Sequence, residues 1–451
     1  MEAANEWLPE LKAQGHGLYE QIVAGLEADI AAGKLSPGDR LPTHRRLADQ
    51  LGCSVGTVTR AYELALRRGA VEARVGRGTF VRERQKGVGE AIDLSLNTPP
   101  QIFDPAQLRS TLSQLARSFD PTAFGCYAPN AGRPEHRAAA ARWLSAHRIP
   151  ADPGALILCN GAQHAIAIAL GVVCRDSRAV LTEAATFHGM KSLALHAGYT
   201  LHGLAMDQEG LCPAALEEAA ERGLARVLYT IPSLQNPTGT TLGAARRSEI
   251  VRIARKHDLT IVEDDVYSVL AQPGERTLAE LAPERTFYVN SLSKALAPGL
   301  RVGFLIPPPS HFDASVLAMR ATTWTSNPLG CLVMAQWMAD GTAEAAIGLM
   351  REEAAQRTAI ARSVFGELIA PGQRPTFHIW IPMPSQQAER VAREALANGI
   401  AVTPPSAPIV DARAISGIRI SLGSIAREEL GPVLQRLRAI MRLGTAEPFI
   451  I

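Results

Sequence analysis

Nothing in this chain supports a disulfide frame or a structural zinc site. Its six cysteines (Cys53, Cys126, Cys159, Cys174, Cys212 and Cys331) are scattered, with no C-x-x-C pair and no histidine cluster at ligand spacing. That usage fits a reducing compartment, and no metal is expected. Long apolar runs are missing too. The most apolar window, Ala155 to Cys174, is interrupted by Asn160, Gln163 and His164, short of the roughly 18–20 clean apolar residues that a membrane span requires. The opening residues, MEAANEWLPELK, place acids where a secretory leader needs a basic and then an apolar stretch. A cytoplasmic protein without membrane contact is expected. Charged residues make up 20% and hydrophobic residues 47% of the chain, close to globular averages, which excludes long disordered or collagen-like stretches.

What is present is length and an uneven charge. The 451 residues are enough for two or three domains. Residues 34–84 carry 11 Lys/Arg against 5 Asp/Glu, while 85–451 carry 34 against 33. A basic module beside a neutral body points to a polyanionic partner at the amino-terminal end. Ile22, Leu26 and Ile30 at spacing four predict one helix, stopped by Gly33. Pro42-Thr43 opens a second helix with Leu47 and Leu51 inward, and Ser54 caps a third that runs through Val58, Ala61 and Tyr62. VEARVGRGTFVR then reads as two short strands joined at Gly76-Arg77-Gly78. The outward positions of the third helix (Ser54, Gly56, Thr57, Thr59) are short and polar, which admits phosphates and base edges, and Arg45, Arg46, Arg60, Arg74 and Arg77 surround it. A small helical domain with a solvated basic face is the competing reading. Residues 82–90, RERQKGVGE, form a polar tether.

Beyond the tether, apolar β-like runs alternate with amphipathic helices: Ala155–Leu158 before 162–173, Ala179–Leu181 before 188–197, then Arg226–Ile231, Thr260–Glu263 and Thr286–Asn290. This predicts an α/β fold with a mostly parallel sheet whose ligands sit at the carboxyl ends of the strands. Chemistry-bearing residues fall at those ends. Lys294 follows TFYVN within Ser291-Leu292-Ser293-Lys294. Asp264 follows TIVE, where a carboxylate holds a pyridine nitrogen protonated. Tyr267 and Asn236 can donate to a ring oxygen. Gly161-Ala162-Gln163 opens a helix whose free N–H groups suit a phosphate, with Ser291, Ser293 and Arg301 adding donors. Phe187 offers a flat face to an aromatic ring. Taken singly, Asp264 could be a capped loop residue, Asn236-Pro237 an ordinary turn and Phe187 core. Six such pieces in one order, each at a strand end, argue against coincidence.

Two resemblances add to this. Gly33-Lys34-Leu35-Ser36-Pro37-Gly38-Asp39-Arg40-Leu41-Pro42, Thr57-Val58-Thr59-Arg60-Ala61-Tyr62 and Gly76-Arg77-Gly78-Thr79-Phe80-Val81 resemble the winged helix-turn-helix of GntR regulators. By that resemblance Thr43, Arg45, Ser54, Thr57 and Arg77 contact double-stranded operator DNA. Val55-Gly56 stands where many members carry an arginine after the serine, which shifts sequence choice toward Arg45, the wing and groove shape. Ser293 to Gly303, Ser-Lys-x-Leu-Ala-Pro-Gly-Leu-Arg-x-Gly, resembles the fold type I aminotransferases. That resemblance implies pyridoxal 5'-phosphate held as an aldimine on Lys294, which also shuttles the proton. It further implies Asp264 at the pyridinium nitrogen and Asn236 and Tyr267 at the ring hydroxyl. Gly161, Ala162, Gln163, Ser291, Ser293 and Arg301 would hold the phosphate. Tyr127 is implied to reach the neighbouring subunit's phosphate in a homodimer, and Arg419 to clamp the carboxylate of an amino-acid-like effector or substrate. A surface arginine beside an edge strand is the alternative for Arg419.

The joined layout is similar to the MocR subfamily of GntR regulators. The expected fold is multidomain: an α+β winged helix-turn-helix over 1–82, a linker over 83–91, and an α/β fold type I PLP-dependent transferase body over 92–451. Its large part, with a mostly parallel sheet, is expected to about 325, and a small C-terminal α+β part over about 326–451. The expected function is a PLP-dependent transcriptional regulator. The alternatives are an aminotransferase with an auxiliary DNA-binding module and a repressor whose body only dimerises. Asn236, retained before Pro-Thr-Gly, leaves transamination open, and Phe187 stands where a tyrosine is usual.

Overall fold

The computed structural model describes residues 7–10, 17–36, 38–67, 70–74, 78–81, 91–117, 125–271, 275–413 and 415–443. The wing tip with Arg77 and most of the expected linker therefore lie outside the described residues. Contacts divide the chain into two compact units, Met1–Glu90 and Ala91–Ile451.

In the first unit, α1 (Leu18–Ala31) buries Ile22 and Leu26. Helix α2 (His44–Leu51) starts at Thr43, whose Oγ1 accepts from the Arg46 N–H at 3.3 Å. It ends at Gly52, whose φ of 62° is the left-handed conformation that glycine adopts without penalty and that lets the chain turn sharply. Helix α3 (Val55–Arg67) follows at once and packs Val58, Ala61, Tyr62 and Ala65 against the first two helices. Strands β1 (Val71–Arg74) and β2 (Gly78–Val81) pair antiparallel, with Val71 opposite Val81 in the same core.

The second unit is built on a seven-stranded sheet. In chain order its strands are β4 (Ile157–Cys159), β5 (Ala179–Glu183), β6 (Thr200–Leu204), β7 (Val227–Thr230), β8 (Thr260–Asp264), β9 (Thr286–Ser291) and β10 (Gly303–Ile306), counting β3 (Ile92–Leu94) as the strand before them. Their spatial order is β4-β10-β9-β8-β7-β5-β6. Neighbours are parallel except around β10, which is antiparallel to both β9 and β4. The strands read as continuous apolar runs because helices cover both faces. Alternation along β9 sends Phe287 and Val289 into the cluster that contains Ala165, Ile166 and Ala169, and Tyr288 into the cluster around Trp143, Phe304 and Trp337.

A smaller part packs β11 (His378–Pro382) antiparallel to β13 (Gly417–Ser421) and β12 (Ile400–Val402) parallel to β3. Its apolar cluster joins Leu94, Phe365, Ile379, Val391, Ile400, Ile420 and Leu434. The division expected near 325 falls inside the other cluster, because helix Pro328–Ala339 contributes Cys331, Val333, Met334 and Trp337 there. The long helix Thr342–Phe365 serves both, with Ala343 to Ala354 on one cluster and Ala361 to Phe365 on the other. Strand β3, although early in the chain, packs with the small part. Among the described residues, no helix is long and apolar enough to cross a membrane.

One contact fixes how β10 and β4 meet. A Cβ on Gly303 would stand 2.5 Å from the Gly161 carbonyl carbon, which is backbone and cannot yield. Gly303→Ala is expected to lower stability by about 1–3 kcal/mol, read as an earlier denaturation midpoint. Gly348→Ala, in open space within a helix, is expected to leave that midpoint unchanged or raise it slightly.

Candidate cofactor site and nucleic-acid interface

The short helix Leu292–Ala295 begins where β9 ends and is capped by Ser291, whose Oγ accepts from the Ser293 N–H. This places Lys294 at the carboxyl edge of the sheet, where its Nζ donates to the Asn97 carbonyl. Burial, the Arg419 charge and, in opposition, Asp264 together bring the Lys294 ammonium down to about 8. Asp264 closes β8 and is 3% exposed. Tyr229, from β7, donates to its Oδ2 at 2.6 Å, while Oδ1 is buried without a partner. Burial raises its carboxyl to about 6, against the pull of the Tyr229 hydrogen bond.

Arg419 sits on β13 and is 1% exposed, so it is not the surface arginine of the alternative reading. Its Nη1 donates to Asn236 Oδ1 at 2.8 Å, its Nε to Thr403 Oγ1 at 3.0 Å and its Nη2 to the Ser95 carbonyl. Burial lowers even this guanidinium to about 10. Tyr267 is 2% exposed, and its Oη accepts from Asn97 Nδ2 at 2.6 Å.

A second group gathers around Gly161, the N-cap of helix Ala162–Val173. Its φ of 85° turns the chain so that the first N–H groups of the helix are left without helical acceptors. A Cβ at that position would come within 2.5 Å of Arg301 Nη2, so the guanidinium can lie over the turn only because residue 161 is glycine. Arg301 is exposed, with φ 52°, and donates to the Asn160 carbonyl at 3.0 Å. Gln163 Nε2 donates to the Gly189 carbonyl at 2.8 Å. The Phe187 ring lies so close to Gly189 that a Cβ there would meet it at 2.4 Å.

These donors and acceptors fit pyridoxal 5'-phosphate on three counts. Asp264 Oδ1 lacks a donor, which a pyridinium N–H supplies. The turn at Gly161, beside Arg301, Ser291 and Ser293, offers N–H, hydroxyl and guanidinium groups suited to a dianion. Lys294 is held with its ammonium destabilised. Tyr127 stands apart: it is 83% exposed and leans on Trp324, with ring centroids 5.3 Å apart. Sequence reasoning did not single out Ser95, Asn97, Tyr229, Thr403 or His378. Tyr229 alone carried a usable signal, since it is a phenol one position from the end of a strand adjacent to β8.

In the first unit, Ser54 Oγ accepts from the Thr57 N–H at 3.2 Å and lies 2.9 Å from Thr57 Oγ1. Ser54 and Thr43 thus act as caps at the starts of α3 and α2, where backbone N–H groups suit phosphates. Arg45 and Arg60 are exposed beside them. Thr59, expected to face outward, instead donates to the Val55 carbonyl at 2.9 Å and lies 3.1 Å from His44 Nδ1. It ties α3 to α2. Arg77 lies outside the described residues.

Comparison with known proteins gives two family matches. Residues 90–437 match the aminotransferase class I and II family, and residues 18–81 match the gntR family of bacterial regulatory proteins. The chain is 26% identical over 392 residues to the uncharacterized HTH-type transcriptional regulator YdeF of Bacillus subtilis, covering 85% of this chain and 84% of that one. It is 28% identical over 376 residues to the probable rhizopine catabolism regulatory protein MocR of Rhizobium meliloti, covering 75% of each. An archaeal alanine:glyoxylate aminotransferase shares the fold, with a TM-score of 0.72 and 22% identity over 80% of this chain and 92% of that one.

The lowered Lys294 value has a kinetic signature. Only the neutral amine is nucleophilic, and burial together with Arg419 favours that form. In cofactor-free protein, acetylation of Lys294 by acetic anhydride should speed up about tenfold from pH 7 to pH 9 and then level off, whereas an ordinary lysine should gain about a hundredfold and keep rising. Competitive labelling read by peptide mass spectrometry distinguishes the two.

Proposed function

The chain belongs to the aminotransferase class I and II family and carries a gntR-family domain at residues 18–81, and from that membership we propose that it is a PLP-dependent transcriptional regulator. The observation that carries the proposal is the convergence of Lys294, Asp264 and Arg419 on one buried site, with Asp264 Oδ1 left unpaired. A body serving only to dimerise has no use for it. Bound there, pyridoxal phosphate supplies an aldehyde that bonds covalently to amines and a ring that withdraws electrons from the carbons those amines carry.

The chain's own residues divide the remaining work. Lys294 is the point of attachment and holds or releases a proton at Nζ. Asp264 keeps the ring nitrogen protonated, with Tyr229 holding the carboxylate in place. Tyr267 and Asn236 serve the ring oxygen, and Phe187 covers the ring. Gly161, Ala162, Gln163, Ser291, Ser293 and Arg301 hold the phosphate, and Tyr127 reaches the site of a second copy in a homodimer. Arg419 receives the carboxylate of an amino-acid-like effector. That carboxylate competes with the present acceptors of Arg419, Asn236 Oδ1 and the Ser95 carbonyl. Effector binding therefore frees Asn236 and loosens the segment after β3, and the change is passed to the DNA-binding unit with a coupling of about 1–3 kcal/mol. Thr43, Arg45, Ser54, Thr57 and Arg77 contact operator DNA in the cytoplasm.

Transamination is the second reading, favoured by a site that retains Asn236 with Lys294, Asp264 and Arg419. Sustained turnover of an amino donor with a keto acid would put it first.

Purified protein is expected to be yellow, with borohydride fixing the cofactor on Lys294. Lys294→Ala should lose that adduct and keep non-specific DNA binding. A colourless preparation that added cofactor cannot colour would overturn the proposal. Arg45→Ala should weaken retention of DNA and reduce the salt slope by about one. An unchanged slope would remove Arg45 from the interface.

A further inference from the structure

The hydrogen bonds behind Tyr267 run in one direction only. The Gln235 carbonyl, 3.1 Å from His378 Nε2, can accept but not donate. His378 is fully buried on β11, where burial, Arg419 and Lys294 oppose its charged form and push it down to about 3. A neutral ring has one N–H, and the carbonyl requires it at Nε2. His378 Nδ1 is therefore an acceptor. The group facing it at 3.0 Å is the Asn97 side-chain amide, which must present its nitrogen there rather than its oxygen. The same Nδ2 lies 2.6 Å from Tyr267 Oη. Both amide hydrogens are then assigned, one to His378 and one to the phenol oxygen.

The opposite orientation of the amide would need the imidazole proton on Nδ1, and the Nε2 lone pair would then confront the Gln235 carbonyl. The orientation that results is not chosen for the amide's own satisfaction, since Asn97 Oδ1 is left buried without a partner. It is imposed from the histidine. Tyr267 Oη already accepts from Asn97, so its own hydrogen is free to be donated elsewhere. Asp264 does not take that hydrogen: its Oδ2 accepts from Tyr229 and its Oδ1 has no partner.

We propose that Asn97, oriented by His378, is a positioning residue that fixes the Tyr267 phenol as a hydrogen-bond donor toward the ring oxygen of the bound cofactor. The inference rests on the reading that pyridoxal phosphate binds at Lys294. It adds a residue from the segment after β3, far from Tyr267 in sequence, whose backbone carbonyl also receives Lys294 Nζ. One residue thus touches both the attachment amine and the phenol. A hydroxyl proton donated to the ring oxygen draws charge from it and weakens its hold on the proton shared with the Lys294 nitrogen. That proton then leaves at lower pH, which the cofactor's colour reports.

The test uses the full chain as wild type, Asn97→Ala, His378→Phe, Tyr267→Phe and the Asn97→Ala/Tyr267→Phe double variant, each loaded with pyridoxal phosphate. Borohydride reduction and mass spectrometry score attachment at Lys294, and absorbance is titrated against pH. Absence of the adduct from wild type overturns the cofactor reading itself. With the adduct present, Asn97→Ala should raise the midpoint of the colour change by about one pH unit, as loss of one hydrogen bond to a charged oxygen does. His378→Phe should raise it by less, and the double variant should match Tyr267→Phe alone. An unmoved midpoint in Asn97→Ala, or increments that add in the double variant, overturns the relay. If Asn97→Ala does not fold, His378→Phe decides: a raised midpoint supports the relay and an unmoved one overturns it.

Discussion

The carboxylate of Asp264, buried at the end of β8 with one oxygen bound by Tyr229 and the other unpaired, is the constraint around which the second unit is arranged. A desolvated carboxylate is costly unless it is paired. Here the neighbours supply only part of the compensation. Tyr229 contributes one hydrogen bond and Lys294 adds positive charge nearby, while Lys294 and Arg419 are themselves depressed by burial. The unbalanced charge makes the site receptive: a cationic ring nitrogen would complete Asp264, and an anionic group would relieve Arg419.

The receptive site is closed by parts of the chain that are remote in sequence. Ser95 and Asn97 come from the segment after β3, Asn236 from the turn after β7, His378 from β11, Thr403 from the turn after β12 and Arg419 from β13. Strand β3 is the hinge of this arrangement, because it pairs with β12 in the small part while its continuation supplies carbonyls to both Arg419 and Lys294. The site and the small part thus share a few backbone acceptors, through which occupancy of the one could be linked to placement of the other. A regulator needs such linkage, and an enzyme that closes on its substrate needs it equally.

Much of this architecture was legible in the sequence. The strands that end at Cys159, Asp264 and Ser291 announce themselves as apolar runs broken by a polar or glycine residue, so the positions of Lys294 and Asp264 followed from where each run stopped. The helix-turn-helix was legible from Thr43, Gly52 and Ser54, whose capping and turning chemistry is local. Long-range pairings were not. Asn97 meets Tyr267 and His378 across 170 and 281 residues, and no periodicity encodes such a meeting. The contact of Thr59 with His44 was missed because it joins two helices, while the same hydroxyl is also satisfied on the previous turn of its own helix. The place of Leu94 in the small part was hidden because strand partners separated by some 300 residues leave no trace in a local pattern.

The reversed direction of β10 has a metrical consequence. Because that strand starts beside the ends of both β9 and β4, residues 294 to 301 span only the gap between two neighbouring strand tips, yet they carry Lys294, the proposed point of attachment, at one end and Arg301, beside the Gly161 turn, at the other. This stretch works as a ruler. Lengthening or shortening it by a single residue would shift Arg301 against the Gly161 turn while leaving Lys294 in place, so here the spacing of the chain carries a structural meaning apart from the identity of its intervening residues.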